Sequence, residues 1–209
     1  MLAFAAFGST VAAEGGSMSV LPQTPQAPAR HRLDVGAYYR MAEAGILAPF
    51  QRVELIDGEI FDMNPIGSPH AAVTRRLEQG FARAVADGLL LTSVRNPLRL
   101  DPFTEPQPDF VVLPPRADAF AASHPGPDDA LLVVEVADSS LAYDRETKLP
   151  LYAKFGIVEV WIVDLAARVV EVYRDPAEGR YGSAARMSEG LLTPSRIPAI
   201  SIDVAALFG

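Results

Sequence analysis

Cysteine is absent from this 209-residue chain. That excludes disulfides, thiolate metal centres and cysteine nucleophiles together, and it fits a reducing cytoplasm. No apolar run approaches the roughly 20 residues a membrane-spanning helix needs, so no membrane partner is expected. Neither a glycine-rich phosphate loop nor a Gly-x-Ser-x-Gly elbow occurs. His31 and His124 fall in expected loops without a ligand-spaced neighbour, which argues against zinc. Lysine is nearly missing: sixteen arginines stand beside two lysines, Lys148 and Lys154. An arginine cannot replace a compact ammonium whose pKa shifts readily. Chance survival of two lysines explains the count equally well until their neighbours are considered.

What remains is ordinary for a globular protein: 49% hydrophobic and 21% charged residues, enough chain for one domain with a sizeable core. The net charge of -8 counts against broad, non-specific nucleic-acid binding but leaves room for a local basic groove. Residues 1–29 are rich in Gly, Ser, Pro, Gln and Ala and are expected to be disordered, with a single domain over 30–209. Val11-Ala12-Ala13 looks like a cleavage site, yet no basic residue precedes Arg30, so the basic region of a secretory signal is missing. Met18, after Gly-Gly-Ser, is an alternative start.

Hydrophobic spacing predicts a helix over 33–44. Residues 52–61 read as a hairpin turning at Asp57-Gly58. A second helix is predicted over 70–87, capped by Ser68 with Pro69 following, and closed by Gly88. Residues 89–100 have strand character. Strands are predicted at 110–113 and 131–136, the latter apolar enough to be covered on both faces. A helix over 139–155 contains Pro150, which should kink it or mark its first turn. Residues 157–164 and 169–174 read as a hairpin pair, and 197–208 as a strand followed by a turn of helix. The order predicts an α/β (α+β) layer fold: a central mixed β-sheet flanked by helices, with an N-terminal helix and hairpin.

Two of the buried strands carry carboxylates. Asp109 opens one, after Pro108; an aspartate there equally suits a loop cap. Glu135 lies inside Leu131–Val136, and a carboxylate is rarely buried unless it is paired or binds a metal, so its alternatives are a cation or an arginine. Asp144 and Lys148, spaced i and i+4, share a helix face as a site pair or an ordinary surface ion pair. Tyr152, four further on, either adds a hydroxyl or simply packs. His70 begins a helix and reads as a packed first-turn residue or a phosphate contact. Arg75, Arg76, Arg83, Arg95 and Arg99 are the candidate phosphate contacts, or else a solvated face.

Pro108-Asp109, Glu135 and a lysine on the next helix resemble the PD-(D/E)XK nuclease superfamily. More narrowly, Glu54–Glu59, His70, Pro108–Val112, Leu132–Val136, Asp144–Ala153 and Gly156–Asp164 resemble the Uma-type family of restriction-endonuclease-like proteins, over roughly residues 33–208. The superfamily pattern expects a lysine two residues after the glutamate, but that residue is Ala137; the lysine has moved to Lys148 on the following helix. The resemblance implies a restriction-endonuclease-like core and a metal-dependent endonuclease acting on DNA. Asp109 and Glu135 would be ligands for Mg2+ or Mn2+, with Lys148 as the electrostatic group. Asp144 and Glu54 would be further acidic contributors, and a homodimer would suit cutting two strands. The competing reading is a nuclease fold without activity, serving as a nucleic-acid-binding or protein-interaction module.

Overall fold

Asp34 starts the regular structure by capping α1 (Val35–Glu43), its carboxylate accepting from the Ala37 N–H at 2.6 Å. The structure, a computed structural model, describes residues 29–48 and 50–209. The segment expected to be disordered lies, apart from its last residue, outside them. The expected hairpin follows as β1 (Val53–Ile56) and β2 (Glu59–Asp62). Ile56 pairs with Glu59, leaving Asp57 and Gly58 as a two-residue turn with φ of 50° and 80°. That geometry matches the twist of paired strands, and Asp-Gly tolerates it. In α2 (Ser68–Ala86) Gly67 takes the cap position, so Ser68 is the first helical residue and not the cap that the sequence predicts. Pro69 sits in the first turn, where no N–H is needed.

The core sheet contains β3 (Leu91–Ser93), β4 (Phe110–Leu113), β5 (Leu132–Ala137), β6 (Glu159–Asp164), β7 (Val169–Ala177) and β8 (Arg180–Met187), side by side in that order. β5 and β6 run parallel; the other neighbours are antiparallel. The sheet is therefore mixed, as expected. The predicted strand over 89–100 shrinks to β3. Arg95 adopts φ 53° and Pro97 has no N–H to donate, so the chain leaves the ladder there.

β8 has little strand signal of its own, being rich in Arg, Gly, Ser and Ala. A second two-residue turn, Glu178 and Gly179 at φ 48° and 73°, folds it onto β7. The tail forms a short ladder of β9 (Leu191–Leu192) with β10 (Ile202–Asp203), then α5 (Val204–Phe208).

Strand alternation divides the core in two. Phe110, Val112, Val134, Trp161 and Val163 face α2 and α5. Val111, Val133, Val160 and Ile162 face the other way, onto Leu151, Tyr152 and Ile157. The predicted helix over 139–155 is three pieces: α3 (Leu141–Tyr143), a π-turn at Asp144–Lys148, and α4 (Leu149–Lys154). Pro150 accounts for the break. It cannot donate to the Glu146 carbonyl, and its ring crowds that carbonyl, so the preceding turn widens and the Leu149 N–H reaches Asp144 O.

Candidate active site

Alternation along β5 sends Glu135 to the same face as Val133 and Ala137, towards α4. The β4–β5 register pairs Phe110 with Val134, so one step further Asp109 comes opposite Glu135. The two residues interlock. The Asp109 N–H donates to Glu135 Oε2 at 3.3 Å, and the Val136 N–H donates to Asp109 Oδ2 at 2.9 Å. Glu135 is only 2% exposed. Its Oε1 accepts from the Tyr152 hydroxyl at 2.5 Å and from Lys148 Nζ at 3.2 Å. Asp109 is faced in turn by His70 Nε2 at 3.0 Å. Arg95 Nε stands 3.8 Å from Asp109 Oδ1, beyond hydrogen-bond length, and is buried without a hydrogen-bond partner among the described residues.

β1 brings in Glu54. Its Oε2 accepts from the Gln107 N–H at 3.1 Å and lies 3.3 Å from Lys148 Nζ, while Oε1 accepts from the Tyr143 hydroxyl at 3.1 Å. The π-turn turns both Asp144 and Lys148 inward, where both are buried. Asp144 Oδ2 accepts from Ser140 Oγ at 2.6 Å. Glu54, His70, Asp109, Glu135, Asp144 and Lys148 all line one pocket of about 240 Å³.

The sequence did not single out Tyr143, Ser140 or Phe61, which line it too. The one available signal was that Ser140 and Tyr143 lie within four residues of Asp144. The arginines separate. Arg95 reaches Asp109, whereas Arg76 donates to Leu207 O at 3.0 Å, Arg83 pairs with Asp87 at 2.7 Å, and Arg99 pairs with Glu105 at 2.6 Å. Arg75 is exposed on α2 and is not among the pocket-lining residues.

The charges are unbalanced. Burial pushes the Glu135 carboxyl up to about 8; the Lys148 ammonium pulls it down, Asp144 and Asp109 push it further up, and the Tyr152 hydrogen bond opposes them. Burial alone would lower the Lys148 ammonium, yet Glu135, Glu54, Asp144 and Asp109 together raise it, so it stays charged. Burial would also raise Asp109, but the hydrogen bond and charge of His70, the Val136 N–H and Lys148 leave it lowered. Asp144 is raised, first by burial. Among the described residues no three His, Cys, Asp or Glu side chains form a ready-made cation cage. The donor set is nonetheless hard oxygen with surplus negative charge. A small divalent cation that keeps much of its water needs only one or two carboxylates.

A family model described as "Putative restriction endonuclease", Uma2, matches residues 35–205. The chain belongs to the Uma2 family. Glu54, His70, Asp109, Glu135, Asp144 and Lys148 all lie within the Uma2 match. Among solved structures, the chain is similar to a protein described as a "putative nuclease belonging to DUF820" from Anabaena variabilis ATCC 29413. The two share 17% identity at a TM-score of 0.60, covering 76% of this chain and 90% of that one, which speaks to the fold. No curated protein matches the chain. Among the described residues, no helix is long and apolar enough to cross a membrane.

Proposed function

We propose that this Uma2 protein is a divalent-metal-dependent endonuclease hydrolysing phosphodiester bonds in DNA. The observation that carries the reading is the contact of Lys148 Nζ with Glu135 at 3.2 Å, with Glu135 itself interlocked with Asp109 in one pocket. Asp109 and Glu135 would hold Mg2+ or Mn2+. When bound, such a cation stabilises charge on phosphate oxygens and lowers the pKa of its water.

The chain's own groups divide the remaining work. Lys148 offers an ammonium, charged throughout the physiological range, to the phosphate that gains charge as it is attacked. Tyr152 and the Asp109 N–H fix the two Glu135 oxygens in direction. His70 and the Val136 N–H do the same for Asp109 and favour its ionised form. Glu54 contacts Lys148 at 3.3 Å, and the charges of Glu54 and Asp144 help keep it protonated. Of the arginines expected to touch phosphate, Arg95 is the one that approaches Asp109, at 3.8 Å, while Arg52 lines the pocket itself.

Incubation with plasmid and linear DNA in Mg2+ or Mn2+, beside Glu135→Gln and Lys148→Met, tests the reading. Cleavage that needs metal and falls at least about 100-fold in both variants is expected, the scale of losing one preorganised charge-stabilising group. Absence of cleavage together with absence of a metal-induced thermal shift would overturn it and leave the non-catalytic binding module.

A further inference from the structure

The pocket has two unlike walls. One carries the carboxylates and Lys148; the other is apolar and aromatic, formed by Phe61, Met63, Ile66 and Tyr143. The Phe61 and Tyr143 rings stand 5.8 Å apart at 41°. The Tyr143 hydroxyl donates to Glu54 at 3.1 Å, so the aromatic wall is fastened directly to the acidic one. Metal-assisted phosphodiester cleavage alone does not call for such a wall. Arg52, also at the pocket, donates to Asn64 O at 3.4 Å and to Met63 Sδ at 3.7 Å, both neutral partners. His70, which lines the same space and is nine-tenths buried, leaves Nδ1 without a hydrogen-bond partner among the described residues.

We infer that the wall formed by Phe61, Met63 and Tyr143 is a nucleobase subsite, so that the preferred substrate presents an unpaired base beside the scissile phosphate. The inference rests on the nuclease reading above. Stacking on an aromatic face is the sequence-tolerant way to hold an unpaired base, and it adds binding that does not come from phosphate charge. A duplex bound through its backbone, by contrast, needs many phosphate contacts. Here the chain carries net charge -8, and Arg76, Arg83 and Arg99 are engaged with Leu207, Asp87 and Glu105 away from the pocket. At about 240 Å³ the pocket is smaller than the about 300 Å³ at which drug-sized ligand sites begin, which suits a single base and not a base pair. A base within a duplex reaches such a pocket only by leaving the stack.

The test compares cleavage of end-labelled single-stranded, fully paired and bulged oligonucleotides by the full-length protein in Mg2+ and Mn2+, with single-stranded RNA in parallel. Single-stranded and bulged substrates should be cut at least about tenfold faster than the duplex, the scale of one base–aromatic stack. Phe61→Ala should raise KM for the unpaired substrates about tenfold with little change in kcat, and Phe61→Trp should restore it. Phe61 is partly buried against the core on the α4 side of the sheet, so a thermal melt run beside the kinetics separates loss of stacking from loss of fold. Cutting of unpaired RNA would support the subsite equally, because the bases share their faces. Equal cutting of paired and unpaired strands, or a Phe61→Ala enzyme of unchanged KM, would overturn the subsite and leave the nuclease reading intact. Absence of cleavage on every substrate would overturn both.

Discussion

Lys148 Nζ lies 3.3 Å from Glu54 Oε2, and the two side chains, 4% and 2% exposed, are shut away from water together. One comes from the π-turn and the other from the N-terminal hairpin, so the lysine pins the hairpin to the sheet as well as serving the site. Removing one member of a buried pair leaves an uncompensated charge, which costs about 3–5 kcal/mol. Lys148→Met is therefore expected to lower the urea unfolding free energy by about that amount. The double variant with Glu135→Gln should recover part of it. A Lys148→Met protein as stable as the wild type would show that the carboxylates are neutral in the folded state.

Tyr152 is wholly buried, and its hydroxyl serves Glu135. Tyr152→Phe keeps the ring and deletes one hydrogen bond to a group that can carry charge, worth about 1.5–3 kcal/mol when the carboxylate is ionised. The stability loss should be larger above pH 8 than near pH 5, because the hydroxyl matters most to the ionised form. Urea titrations of both proteins at the two pH values check this; a loss independent of pH would mean that the hydroxyl does not favour the charged form.

Glu135 sets a pH dependence. Its carboxyl is pushed from 4.5 to about 8, first by burial. The folded protein thus binds this proton more tightly than the unfolded chain. The contribution to stability is fully present below about 4.5 and is lost progressively as pH rises to about 8. A cation on the carboxylate must displace the same proton. Apparent Mg2+ affinity should therefore climb with pH up to about 8 and level off above it. Calorimetry in buffers of different ionisation enthalpy should show proton uptake by the buffer below about pH 8. Affinity that stays flat between about pH 6 and about pH 9 would remove Glu135 as the titrating ligand.

Pro150 is exposed and makes no demand on the core, yet it shapes the turn that aims Lys148. Pro150→Ala restores the missing N–H and removes the ring clash, so the helix can return to regular α spacing. Stability is expected to hold or rise. Nuclease activity should fall by about tenfold or more, since small misplacements of a catalytic group cost up to about 100-fold. Matched thermal melts and rate measurements decide it; full activity with unchanged stability would show that the turn is held by other contacts.

Much of this was readable from the residues. The continuous apolar run around Glu135 announced a strand covered on both faces and a carboxylate with nowhere to hide. The Asp57-Gly58 pair announced the hairpin, because few pairs accept positive φ twice in succession. Where local preference is weak, the reading failed. β8 exists through its pairing with β7, and residues after Ser93 left the sheet because Arg95 and Pro97 end the ladder.

The sequence by itself determined which side chains were available for chemistry: carboxylates on buried strands, a lysine at 148 in a chain with only two lysines among sixteen arginines, and a proline placed to break a helix. Tertiary structure decided which of them meet. The cross-strand register set Asp109 opposite Glu135, strand alternation turned Glu135 towards Tyr152, and the hairpin carried Glu54 to the far side of Lys148. These are contacts between residues far apart in the chain. Their energies depend on burial and on the summed field of four carboxylates around one ammonium, quantities that no local window of sequence contains.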